Sequence, residues 1–173
     1  MERFLRLKHW QISILLLLGI VTSNIEITNA HTLSLIIKLL GAFIYMSYPL
    51  IIGIFLQDYL PRNIELNINL FQINSFICIV FYAGVMIISD GKGMTFNGLA
   101  AILFLYVFYA FIHFLGFPAK TLKTIELKKK ARLGEYIGDF FLIVFLPLGI
   151  WFLQPRINKI IEEKNTNETT FDN

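Results

Sequence analysis

Apolar residues along this chain gather into long blocks separated by brief polar stretches, not into the short alternations of a soluble fold. Ile12 to Val21 forms the first block and falls short of the roughly 20 residues a spanning helix needs, so it must recruit Trp10 and Gln11 before it and Thr22 to Ile27 after it. Leu33 to Leu56 is a full-length span interrupted by Lys38, Gly41 and Pro49. The third block runs from Leu70 to Ile88 with Gln72, Asn74 and Cys78 inside it; the fourth, Gly98 to Phe117, holds His113 and stops at Pro118; the fifth, Tyr136 to Leu153, holds Asp139 and Pro147. The pattern predicts an all-α, polytopic transmembrane helix bundle of five spans, kinked at Pro49 and Pro147, where the missing backbone donor opens the helix. A basic segment followed by a short apolar run is also the pattern of a cleaved signal peptide, which would leave four spans. The small-residue context Thr28-Asn29-Ala30 lies well past the apolar run, which favours an uncleaved span.

The connections are polar. Gln57 to Asn69 carries Pro61 and Arg62, and Ser89 to Asn97 contains the turn dipeptide Asp90-Gly91, short enough to pair the third and fourth spans as an antiparallel hairpin. Residues 1–158 read as one bundle with a basic loop at 118–135, and 159–173 as a polar, flexible tail.

Composition supports a lipid environment: 56% of the 173 residues are hydrophobic and 16% charged, against about 45–50% and 25% in soluble domains. The one cysteine, Cys78, excludes an intramolecular disulfide. The net charge of +3 is unevenly placed. Six of fifteen Lys and Arg lie between Lys120 and Arg132, and because juxtamembrane Lys and Arg stay in the cytoplasm, this cluster orients the bundle. With the N-terminus inside, inner segments hold ten basic residues (Arg3, Arg6, Lys8, Arg62 and the six), the outer four (Lys92, Arg156, Lys159, Lys164). The three cations of the tail speak against an outer tail, as they would if the last segment dips into the bilayer and returns. Basic residues tied to membrane boundaries exclude nucleic acid as the partner; the lipid bilayer, other membrane subunits or further copies of the chain remain. Richness in Ile, Phe, Lys and Asn suggests an AT-rich bacterial genome and the inner (cytoplasmic) membrane.

Ionisable groups inside a span cost about 2.5–3.5 kcal/mol on insertion scales, and three fall there. Lys38 lies near the outer end of its span, where its stem can snorkel or pair with Asp90 or Glu26. His113 and Asp139 lie roughly 5–6 Å inside the same inner boundary on successive spans, close enough for an interhelical hydrogen bond or a proton-relay element. Lys128, Lys129, Lys130 and Arg132 are candidate contacts for anionic headgroups or a partner, and Glu135 a partner for Arg132 or Lys130. Trp151 fits an interfacial anchor. Zincin, nucleophile-elbow, P-loop and CxxC motifs do not occur, so no cofactor or metal is expected, and no catalytic residue is assigned.

The terminal phrase EYIGDFFLIVFLPLGIWFLQPRIN, Glu135 to Asn158, resembles the C-terminal end of small uncharacterised bacterial multi-pass inner-membrane proteins. The resemblance implies a membrane protein, brings no activity, and marks Asp139, Trp151, Gln154, Pro155 and Arg156. Three functions follow in order. A non-catalytic subunit, scaffold or accessory factor of an inner-membrane assembly comes first, and a small proton-coupled transporter or channel using His113 and Asp139 second. An embedded enzyme acting on lipid or isoprenoid substrates is third; it predicts a lipid-sized cavity with polar groups converging at its mouth.

Overall fold

Among the described residues helix α1 (His9–Ser23) comes first, followed by α2 (His31–Phe55) with a 3₁₀ turn at Leu56–Tyr59, α3 (Ile68–Ile88), α4 (Leu99–Leu127), α5 (Leu133–Val144) and α6 (Leu146–Phe171). The computed structural model describes residues 7–89, 95 and 97–171; Arg3, Arg6, the Asp90-Gly91 turn and Lys92 lie outside them. The chain is 82% helix with no strand among the described residues, as the block pattern demands of a chain that must satisfy its own backbone in lipid. Three stretches, His31–Tyr59, Ile68–Ile88 and Ala100–Leu127, are long and apolar enough to cross a membrane, and α1 is a shorter apolar helix of 15 residues. Leu103, Leu105, Phe108 and Phe76 are exposed on their outer faces, the surface a bilayer would cover.

Close backbone approach joins α1 to α2. A Cβ on Gly19 would stand 2.9 Å from the Gly41 carbonyl, so glycine at both positions lets the two helices cross in contact. Ile12 and Leu16 are fully buried beneath this crossing. Gly53 of α2 instead accommodates a side chain, leaving room for the ring of Phe71, which stacks on Phe117 of α4 with ring centroids 4.5 Å apart.

Two expectations about helix ends are corrected. The fourth span does not stop at Pro118: α4 runs nine residues further to Leu127, and Lys128 closes it in the left-handed conformation (φ 51°). The first part of the basic stretch is therefore the last turns of α4, with Thr121, Leu122 and Thr124 buried, while Leu133 and Tyr136 belong to the next helix. The Thr124 hydroxyl accepts the Ala131 N–H at 3.2 Å, folding the lysine loop back on its own helix.

The last apolar block is not one helix. It breaks at Phe145 between α5 and α6, and the two halves reverse on each other. Pro147 stands second in α6, where its missing N–H is not needed, so it starts a helix instead of kinking one; Pro49 lies within an uninterrupted α2. Reversal is closed by Gly149, whose missing Cβ leaves space for the Leu142 carbonyl. The tip is well satisfied. Phe145 O accepts the Leu148 and Gly149 N–H groups (3.0 and 2.8 Å), Val144 O accepts the Tyr45 hydroxyl (3.4 Å), and Pro147 O accepts the Ser13 hydroxyl (3.3 Å).

This reversal sets which ends lie together. Trp151 lies against His9, the first residue of α1, with centroids 4.5 Å apart. At its far end α6 reaches the α2–α3 connection: Lys164 Nζ donates to Asp58 O at 3.1 Å and stands over the Tyr59 ring. The start of α1, the α2–α3 connection, the lysine loop and the exposed part of α6 thus share one end of the bundle. The expected placement of the tail opposite the lysine loop is corrected on that geometry, and α6 continues through the tail to Phe171.

Candidate functional site

Two clusters occupy that common end. In the first, Arg156 of α6 is held between two carboxylates from two other helices. Its Nε and one terminal nitrogen donate to Glu126 of α4 at 2.6 and 2.7 Å. Its terminal nitrogens also donate to both oxygens of Asp139 of α5, one of them at 3.0 Å. Planar, bidentate pairing is what guanidinium supplies and ammonium does not. Asp139 is nearly inaccessible, with 9% of its side chain exposed, whereas Glu126 and Arg156 retain 26% and 29%. The two carboxylates hold the guanidinium pKa above its ordinary value, with the Asp139 bond the largest cause. A continuous helix would place residues 139 and 156 about 25 Å apart; their contact exists only because the chain turns at Phe145.

The expected His113–Asp139 pair does not form. Asp139 is committed to Arg156, and His113 Nδ1 is buried without a hydrogen-bond partner. Glu126, the third member of the ion cluster, escaped the sequence reading because it is one acid in a run of cations. Its place three residues after Lys123, with which it pairs at 3.3 Å, was the available signal.

His113 lines the second feature, a cavity of about 450 Å³ between the entry to α3, the lower half of α4 and the start of α5. Tyr109, Ile112, Phe117, Tyr136 and Phe140 form its apolar walls; Lys120, Lys130, Glu65 and Asn67 are its polar groups. No ion pair reaches Lys120 or Lys130 among the described residues.

The other candidates disperse. Lys38 is paired with Glu26 at 2.6 Å at the opposite end, its side chain 13% exposed, and its hydrogen bond, then its charge, lowers the Glu26 pKa. Lys129 binds Glu135 at 2.7 Å; Glu135 also accepts the Arg132 N–H at 2.7 Å as α5 begins, so its expected partner Lys130 is replaced by Lys129. That backbone bond, then Lys129, holds the Glu135 carboxyl below its ordinary value. Lys128 is exposed at the end of α4. Of the phrase-marked residues, Gln154 is fully buried and accepts the Tyr48 hydroxyl at 2.9 Å, Trp151 is half exposed, and Pro155 lies within α6. Among the described residues no group of three or more His, Cys, Asp or Glu could hold a metal ion.

No protein-family model, no curated protein and no solved structure matches this chain significantly. The class defined by fold and site is therefore an all-helical protein with three helices long and apolar enough to span a membrane.

Proposed function

We propose that the chain is a bacterial inner-membrane protein in which α1 to α4 cross the bilayer and α5–α6 form a re-entrant hairpin that enters and leaves on the cytoplasmic side. In this arrangement it serves as a non-catalytic subunit, scaffold or accessory factor of a membrane assembly. The observation that carries the proposal is the Glu126–Arg156–Asp139 clamp: the one carboxylate of the last apolar block and the arginine just beyond it are spent on closing a structural hairpin. Irregular backbone at membrane depth is tolerated only where protein covers it, and the hydroxyls of Tyr45 and Ser13 cover this tip. Phe141, Phe145, Leu148 and Phe152 remain exposed around it, an apolar rim suited to lipid or a membrane partner. Returning the tail to the inner side leaves thirteen Lys and Arg there against Lys92 alone outside, Lys38 lying within a span, a sharper asymmetry than five crossings give.

Topology and role are tested separately. A lone exposed thiol introduced as Lys159→Cys, with Cys78→Ala, should resist an impermeant maleimide in intact cells and react after the membrane is opened; reaction in intact cells overturns the hairpin. Purification in mild detergent should bring down a defined membrane partner at fixed stoichiometry, and a lone monodisperse monomer overturns the subunit role. The cavity favours a second reading, an enzyme acting on lipids, since it supplies apolar walls and a polar mouth of the kind such an enzyme requires. Turnover of a radiolabelled lipid extract that is lost in His113→Gln would promote it over the first. A proton-coupled transporter is less well supported, because Asp139, one of its two carriers, is held by Arg156.

A further inference from the structure

We infer that the cavity between α3, α4 and α5 binds an anionic phospholipid, its phosphate held by Lys120 and Lys130 and its acyl chain lying along Tyr109, Ile112 and Phe140. The inference goes beyond the structural role above and rests on its membrane placement. Three observations converge on it. The cavity, at about 450 Å³, is of ligand size. Two lysines from different segments, half-buried Lys120 on α4 and exposed Lys130 on the loop before α5, line it without a carboxylate partner, whereas Lys123 and Lys129 beside them are paired. Like charges brought together unpaired destabilise the empty site, and an anion between them removes that cost. Glu65, the acid on the wall, lies exposed and forms no ion pair with either lysine.

Deeper in, His113 presents a buried Nδ1 with no partner, flanked by the Tyr109 and Phe117 rings at 6.1 and 5.7 Å between centroids. That atom has no surface open to the cavity, so the His113 ring borders the space without offering Nδ1 to an occupant. His113 lies about 10 Å along α4 from Lys120, so charged mouth and aromatic wall follow one another in the order phosphate, acyl chain. A soluble phosphate compound would use the lysines and leave the apolar walls uncovered, which is why the lipid is the occupant chosen.

The test is lipid retention by the full-length protein, read by native mass spectrometry after exchange from phosphatidylcholine micelles with or without phosphatidylglycerol. Wild type should retain one phosphatidylglycerol. Lys120→Met with Lys130→Met should weaken it about thirtyfold, near 1 kcal/mol for each lysine. Lys128→Met with Lys159→Met, which removes the same charge from exposed positions outside the cavity, should not. Gly116→Leu provides an independent route: a Cβ there meets only Phe140, at 3.7 Å, so the larger side chain fills the cavity, leaves both lysines in place and should expel the lipid. Equal losses in the two double variants would reduce the effect to diffuse charge, and displacement by inorganic phosphate would assign the site to a soluble anion; either overturns the inference. The assay is carried out in detergent and does not depend on which side of the membrane the loop faces, so its failure is distinguishable from failure of the topology.

Discussion

Arg156 and the Lys120–Lys130 pair stand at the same end of the bundle, on elements that touch, yet their surroundings are opposite. Arg156 meets two carboxylates and its donors are engaged. The two lysines face a cavity and meet none. Charge at this end of the bundle is thus arranged in two ways: neutralised by the chain itself, it fixes the path of the backbone; left open toward a cavity, it is available to the ligand inferred above. The two cases can be separated by substitution, because removing a charge from the first leaves stranded partners and removing one from the second strands nothing.

The largest effect is expected from Arg156→Ala. It leaves Asp139, almost fully enclosed, without a cation, and Glu126 with Lys123 alone. Breaking one side of a buried pair costs about 3–5 kcal/mol, and partial exposure of Glu126 and Arg156 places this case near 3. Thermal unfolding in detergent should show a large fall in Tm, and a triple variant, Glu126→Gln, Asp139→Asn, Arg156→Met, should recover most of it. A fall no larger than that of an exposed control would make the clamp incidental.

How much of this was legible in the sequence follows from the same residues. Apolar blocks were readable because bilayer thickness imposes their length, and Asp139 stood out because a carboxylate there is expensive. Its partner was not readable. A block of apolar residues with one proline looks like a crossing, which puts Arg156 on the far side; only the Phe145 reversal, which carries no glycine or asparagine at the break, brings it back. The three tail cations were the one hint. Lys38 with Glu26 was within reach because the connection between their helices is short, whereas the cavity draws on three separate elements and leaves no periodic trace.

The reversal itself is the next point of attack. Gly149→Val pushes a branched side chain into the Leu142 carbonyl, and overpacking of this kind costs about 1–3 kcal/mol. Part of the strain should be relieved by opening α5 from α6, so a disulfide engineered between positions 139 and 156 should form less readily than in the parent carrying glycine. Unchanged crosslinking would show that the turn has room. Smaller again is Tyr48→Phe, which removes the bond from α2 to Gln154 while keeping the ring; interhelical hydrogen bonds in membranes average about 0.6 kcal/mol, and denaturant titration should find a loss of that order.

Least of all should happen on the other side of the comparison. Lys120→Gln removes a cation that no ion pair engages among the described residues and that stands near Lys130 across a shared cavity. Nothing is stranded by its loss, and the repulsion between the two ammonium groups is relieved. In lipid-free detergent the change should stay within about 0.5 kcal/mol, neutral or slightly stabilising. In the presence of phosphatidylglycerol the sign should reverse, because a ligand that binds only the folded state stabilises it by mass action and the variant forfeits part of that gain. Paired melting curves, with and without the lipid, read both signs on one sample: a lysine with a hidden structural role would destabilise in both, and a lysine with no ligand would give the same difference in each.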